Sequence, residues 1–364
     1  MKILYVGLDV KPYIGGIETF ILKSVENIDR NKYTIEFLAY KGDVPCFYDE
    51  FSNMGLQFRF ITKRKKNYLR NLRELKKLLI EQKYDIVHCH MNSYSYIAPC
   101  IMAIKLGSKV IIHAHNAGCL QSKKAVFLHY FNKLRMPLEK VKTIAVSDLA
   151  GKWFFGKKSF DIINNGVETD KLQFSEKKRK QIRKEFEILD EKVVLHVGAF
   201  RNQKNHRRII EIFKELVQKD TKVKLILVGE GDLREEIASI VKEKGLEQNV
   251  IFTGNRTDID ALLSAADVFL FPSFYEGFPI ALIEAECSGL PCVVSDVITK
   301  EAQFDGVCAA VSLEAQNSEW VDLLLKAQAS QDREKWADII KKSGLGIDAE
   351  IRQIEKIYDS LLGG

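Results

Sequence analysis

Residues 266–296 read Ala-Asp-Val-Phe-Leu-Phe-Pro-Ser-Phe-Tyr-Glu-Gly-Phe-Pro-Ile-Ala-Leu-Ile-Glu-Ala-Glu-Cys-Ser-Gly-Leu-Pro-Cys-Val-Val-Ser-Asp. Val268–Phe271 and Cys292–Ser295 are short apolar runs bounded by turn residues, the pattern of strands buried on both faces of a parallel sheet. Between them, Pro279 suits the first turn of a helix, and Gly289 followed by Pro291 suits its end. The unit is strand, glycine turn, helix, strand. In a parallel sheet that turn lies at the carboxyl edge, where ligands bind, and the free N–H groups opening the next helix favour an anion.

Two carboxylates bracket this helix start, Glu276 in the turn and Glu284 in the second helical turn. A carboxylate beside an anion site serves best as an acceptor for hydroxyls, which describes a nucleotide sugar with hexose at one carboxylate and ribose at the other. Spacing alone fits equally a solvated turn Glu and a helix-capping Glu. Ala281, Ala285 and Ser288 form a small-residue stripe at i, i+4 and i+7, which lets a backbone or a flat ring approach closely.

With its flanking Phe-Pro-Ser-Phe-Tyr and Ser-Gly-Leu-Pro-Cys-Val-Val-Ser-Asp, the Glu276–Glu284 spacing resembles the signature of retaining nucleotide-sugar glycosyltransferases of the family 4 type (glycosyl transferases group 1). The resemblance extends over nearly the whole chain. It implies the GT-B fold, two doubly wound Rossmann-like α/β domains with a deep cleft between them. The expected division is residues 1–168 as the acceptor-side domain and 169–346 as the nucleotide-sugar domain, with a last helix in 347–364 crossing back to the first.

The 364 residues comfortably fill two domains. Met1-Lys2 leads directly into the strand-like Ile3–Leu8, which is unlike an export signal, and no apolar run is long enough for a membrane span. Seven irregularly spaced cysteines (46, 89, 100, 119, 287, 292, 308) argue against a disulfide framework and for a reducing cytoplasm. The net charge of +6 is uneven: residues 1–170 hold 27 Lys and Arg against 16 Asp and Glu, or +11, leaving −5 for the remainder. A basic run, Lys63-Arg64-Lys65-Lys66, precedes a helix bearing Arg70, Arg73, Lys76 and Lys77. It reads either as a solvated face or as a contact with anionic lipid at the inner face of the plasma membrane. Nothing points to nucleic acid.

Further strands are expected at Thr34–Ala39, Gln57–Ile61, Ile86–His88, Val110–His113, Thr143–Val146, Asp161–Ile163, Lys192–Val197, Val223–Val228 and from Val250, alternating with helices as in doubly wound sheets. A charged helix is expected over 171–191 and amphipathic ones over Ala315–Ala329 and Asp348–Leu362. Gly15-Gly16, after the first strand, permit positive φ and expose backbone N–H groups. The resemblance places them over the donor diphosphate and acceptor. His90 and His113-Ala114-His115-Asn116 follow strands and are expected at the carboxyl edge. By resemblance His115 lies near the transferring sugar, with His90 and Asn116 on the acceptor side. His88-Cys89-His90 lacks a matching ligand pair at metal spacing, so no metal is expected.

In Gly198-Ala199-Phe200-Arg201-Asn202-Gln203-Lys204, two cations enter a helix after a strand, an anion site by charge and by dipole. Lys204 matches the family pattern directly. Arg201 stands two positions after the usual arginine, where this chain has Ala199. Gly229-Glu230-Gly231 lacks a third glycine and reads as cleft lining. Arg256 is positioned by resemblance near the nucleotide base.

The expected catalytic set is Lys204, Arg201, Glu276 and His115. Donor contacts are expected from Gly15, Gly16, Lys204, Arg201, Arg256, Glu276, Gly277, Phe278, Pro279 and Glu284. The resemblance implies a hexose or N-acetylhexosamine, with UDP favoured as the carrier, moved with retention to a glycan or lipid-linked acceptor in bacterial surface polysaccharide synthesis, with no cofactor. Two rivals are a silent nucleotide-sugar-binding partner protein and a GT-B nucleotide-sugar epimerase.

Overall fold

The structure is a computed structural model that describes residues 1–11, 14–118, 123–328 and 332–363. Cys119 and Ala329 lie outside the described residues. The chain divides into two compact units, Met1–Asn165 with Ile347–Gly364, and Gly166–Gly346.

The first unit carries a seven-stranded parallel sheet. Its strands are β1 (Lys2–Val6), β2 (Thr34–Tyr40), β3 (Gln57–Ile61), β4 (Ile86–Met91), β5 (Lys109–Ala114), β6 (Lys142–Ala145) and β7 (Asp161–Ile162), in the order β3-β2-β1-β4-β5-β6-β7. The order reverses between β1 and β4, the switch point where doubly wound sheets open a crevice. β4 runs on to Met91, past the expected His88, because His90 and Met91 pair with His113 and Ala114 of β5.

The helix Ile347–Leu362 belongs to this unit. Ile347, Ile351, Ile354, Ile357 and Tyr358 recur at helical spacing and join the core around Ile3, Tyr5, Ile17 and Phe20. Its one buried carboxylate, Glu350, accepts a 2.8 Å hydrogen bond from Ser24 Oγ of the helix Gly16–Asn27. Tyr358 Oη lies 2.8 Å from Tyr5 Oη and 2.7 Å from His88 Nδ1.

The second unit has β8 (Lys192–Val197), β9 (Val223–Val228), β10 (Val250–Gly254), β11 (Val268–Phe271), β12 (Cys292–Ser295) and β13 (Cys308–Val311), all parallel, in the order β10-β9-β8-β11-β12-β13. Here the switch point falls between β8 and β11. The helix His206–Lys219 presents Ile209, Ile210, Ile212, Phe213 and Leu216 to a core shared with Leu225 and Leu227. Full burial stabilises each such side chain by roughly 1.5–3 kcal/mol. β13 was not expected, because Cys-Ala-Ala-Val offers little bulk to mark a strand. The expected helix over 171–191 is two pieces, Thr169–Leu172 and Glu176–Glu185, the second capped by Ser175, whose side chain accepts from Lys178 N–H.

Candidate active site

Both loops that leave the second unit's switch point carry charge, and they are tied together. Lys204 Nζ lies 2.8 Å from Glu276 Oε1, both side chains being largely buried. Gln203 Nε2 donates to Glu276 Oε2 at 3.1 Å and to Tyr275 O at 2.9 Å. Phe274 N–H donates to Gln203 O, and Asn205 Nδ2 to Pro272 O. Asn205 takes a left-handed conformation, φ 56°, to end the β8 loop and open the helix His206–Lys219. The Lys204 ammonium also rests 4.6 Å from the Phe271 ring centroid. Gly198 makes room for this side chain: a Cβ there would sit 3.0 Å from both Lys204 Cδ and His196 Nε2.

The expected donor residues Gly277, Phe278 and Pro279 form the rest of the β11 turn, with Phe278 buried and Pro279 capping the helix Ile280–Cys287. Glu284 projects from that helix and is 8% exposed. Arg201 is partly buried in the β8 loop, where its carbonyl accepts Lys204 N–H. Gln203 was missed by sequence reasoning, since an uncharged side chain beside two cations gives no signal of its own.

Several expectations need correction. Arg256 holds its guanidinium against Glu185 at 2.6 Å and Asp258 at 2.7 Å, so its charge is matched by two carboxylates rather than offered to a base. The Ser288 end of the small-residue stripe is covered by the protein itself: buried Arg333 donates to Ser288 O at 2.8 Å, and its backbone passes where a Cβ of Gly289 would lie. In the first unit, neither Gly15 nor Gly16 has positive φ. Gly15 N–H donates to Glu18 Oε2 at 3.0 Å, because Glu18, three residues on, reaches back to the N-cap amide of its helix. The amide expected to face a phosphate is thus engaged, while Gly16 borders open space.

His90 and His113 do not follow strands; they lie within β4 and β5, buried, on the same face as His88. His115, just past β5, is partly exposed, and its Nε2 lies 3.0 Å from His90 Nδ1. Asn116 beside it donates weakly to Gly118 O at 3.4 Å. Burial holds all four imidazoles neutral, lowering His88 and His115 to about 3 and pushing His90 and His113 well down. His88, His90 and His113 bring ring nitrogens within 4.8 Å of one another, as a metal site would. Their rings stack, however, with His88 and His90 at 4.1 Å and 25° and His88 and His113 at 5.4 Å and 11°.

The basic run near Lys63 is partly neutralised from within. Lys63 pairs with Asp43, Lys41 and Arg70 share Glu74, and Lys77 pairs with Glu81.

Comparison with known proteins joins this geometry to a family. The profile of glycosyl transferases group 1 matches residues 177–342, and that of glycosyltransferase family 4 matches residues 14–171. The chain is a family 4 glycosyltransferase. The enzyme is 28% identical over 353 residues to EpsF of Bacillus subtilis (strain 168), a protein named as a glycosyltransferase, covering 92% of this chain and 90% of that one. It is 27% identical over 334 residues to the UDP-Gal:alpha-D-GlcNAc-diphosphoundecaprenol alpha-1,3-galactosyltransferase of Escherichia coli, covering 84% and 83%. Its fold is that of the GT-B enzymes. The Anabaena HepE structure with UDP and glucose superposes with a TM-score of 0.81 at 18% identity over 99% of this chain and all of that one. WaaG, a glycosyltransferase of lipopolysaccharide biosynthesis, superposes with a TM-score of 0.72 at 19% identity over the full length of both.

Proposed function

We propose that the enzyme transfers a hexose or N-acetylhexosamine from a UDP-sugar, with retention, to a glycan or lipid-linked acceptor in bacterial surface polysaccharide synthesis. The observation that carries this reading is the Lys204–Glu276 pair at the second unit's switch point. A departing diphosphate gains negative charge in the transition state, and a largely buried ammonium stabilises that charge far better than water does. Glu276 holds Lys204 in place through Oε1 and Gln203 through Oε2, and each oxygen has a further lone pair with which to accept from a sugar hydroxyl. Glu284 accepts from a ribose hydroxyl, and Arg201 adds a second cation. On the acceptor side His115 is neutral, so it accepts or donates a hydrogen bond without bringing charge. The names of the relatives support this choice of donor and acceptor: the Escherichia coli protein uses UDP-Gal and a diphosphoundecaprenol acceptor.

The test is thermal shift of the purified protein against a panel of UDP- and GDP-sugars, followed by transfer assays with those that bind. A ligand that binds only the native state raises its melting temperature by mass action. Stabilisation by UDP-sugars and by UDP is expected. Stabilisation by GDP-sugars alone would overturn the choice of base, and turnover of donor without transfer would favour an epimerase.

A further inference from the structure

The helix Lys123–Arg135 is amphipathic in the reverse sense. Its sequence is Lys-Lys-Ala-Val-Phe-Leu-His-Tyr-Phe-Asn-Lys-Leu-Arg, and its buried residues are the polar His129 and Asn132. The inward side is fixed by hydrogen bonds: His129 Nδ1 accepts from Tyr94 N–H, Asn132 Nδ2 donates to Tyr94 O at 2.7 Å, and the His129 ring stacks on Trp153 at 4.3 Å. Lys133 Nζ donates to Trp153 O at 2.6 Å.

Phe127, Tyr130, Phe131 and Leu134, at i, i+3, i+4 and i+7, therefore share one face turned to solvent, 66%, 58%, 46% and 90% exposed. Turning that face inward would break every one of these bonds. Phe127 and Phe131 stack on each other, and the Arg135 guanidinium lies 5.2 Å from the Phe131 centroid. Lone exposed apolar residues need no explanation, whereas a contiguous aromatic stripe marks an interaction surface.

Charge identifies its occupant. Besides the inward-held Lys133, the helix carries Lys123, Lys124 and Arg135 with no acidic residue, and no Asp or Glu occurs from Ile86 to Leu138. A second copy of this helix would oppose like charges with nothing to neutralise them. An anionic bilayer supplies both what the cations need and what the aromatic rings need, headgroup phosphates beside an apolar boundary. We propose that this face docks the enzyme on an anionic lipid bilayer, in place of the partly neutralised run near Lys63.

The experiment is flotation of the full chain with phosphatidylcholine vesicles, with or without phosphatidylglycerol. Binding is expected only to the anionic vesicles, weakening as salt rises. The variant Phe127→Ser, Tyr130→Ser, Phe131→Ser, Leu134→Ser should lose at least tenfold in partitioning with its melting temperature kept. Lys123→Ser with Lys124→Ser should lose several-fold. Changing Lys63, Arg64, Lys65 and Lys66 to Ser should lose less than that pair. As a check independent of the polar variants, Phe131→Trp should gain a blue-shifted emission, relative to the unsubstituted protein, with anionic vesicles alone. Unchanged binding by the fourfold stripe variant, a larger loss from the Lys63–Lys66 variant, an unshifted emission from Phe131→Trp, or a dimer that the stripe variant dissociates without any vesicle binding would each overturn the proposal.

Discussion

The carboxyl edges of the two sheets share a topology and differ in chemistry. At the β8/β11 switch point the second unit sets a lysine against a glutamate, braced by Gln203. Beside the β1/β4 switch point the first unit buries His88, His90 and His113 within β4 and β5 and adds His115 just past β5, all four held neutral. The same scaffold thus carries a largely buried ion pair at one switch point and a neutral imidazole cluster beside the other. Function here depends on which side chains the strand ends present, since the sheet order is alike in both.

Breaking the charged edge should have the largest effect. Lys204→Ala is expected to lower turnover by roughly 10²–10³, with a smaller loss of donor affinity, because the charge it meets develops in the transition state. Steady-state kinetics with the donor found by thermal shift will measure it. Equal small losses for Lys204→Ala and Arg201→Ala would mean that the phosphate is held elsewhere.

The neutral edge makes its own demand on pH. All seven histidines are depressed by burial, His88, His115 and His196 to about 3 and His129 to about 4, and five of the seven lie in the first unit. Below the unfolded histidine value of about 6.5 the unfolded chain binds protons that the folded chain refuses, so stability falls as pH falls. The loss should reach several kcal/mol between about pH 6.5 and 4. Urea midpoints across that range will test it, and hydrogen exchange should lose protection first in β4 and β5. Flat stability down to pH 5 would mean that the imidazoles have charge partners when folded.

Glu286 sharpens the contrast inside the second unit, because it is a carboxyl that burial pushes up to about 8 despite a hydrogen bond donated by Phe304 N–H. Its protonated form is the one that fits, so the stability it allows is full below about pH 4.5 and is lost as pH rises through 8. Glu286→Gln should therefore be near neutral at pH 5 and stabilise by a few kcal/mol at pH 9. Equal melting temperatures of the two proteins at pH 9 would show that Glu286 ionises freely.

The smallest expected effect is at Glu284. Glu284→Ala should weaken UDP binding by about 1.5–3 kcal/mol, the worth of a hydrogen bond to a charged group. Titration with UDP lacking sugar isolates the contact, and an unchanged affinity would remove Glu284 from the ribose position.

The strands with β-branched or aromatic runs, the glycine turns and the amphipathic last helix are visible as local patterns. So is the presence of Lys204, Glu276 and Glu284 just past strand ends. The return of the last helix to the first unit is implied only by the family resemblance. The Lys204–Glu276 contact is another matter: it joins residues 72 apart, and its bracing by Gln203 depends on the sheet bringing two loops together. Arg256 shows the converse, a loop cation in a suggestive position that Glu185, at the end of the helix Glu176–Glu185, had already matched. The Phe127–Leu134 stripe has the spacing of a core-facing helix. Nothing short of the hydrogen bonds around Tyr94 reveals that it faces outward.

The helix Ile347–Leu362 also sets a timetable. The first unit's core holds Ile351, Ile354 and Tyr358, so it stays incomplete on the ribosome until all of Gly166–Gly346 has been made. At ~5–20 residues per second that delay is on the order of ten to forty seconds. Until then the slot between Tyr5 and His88 lacks the hydroxyl of Tyr358, and the nascent first half leaves apolar surface open. A stop codon ahead of Tyr358 would therefore injure the unit made first more than the one made after it.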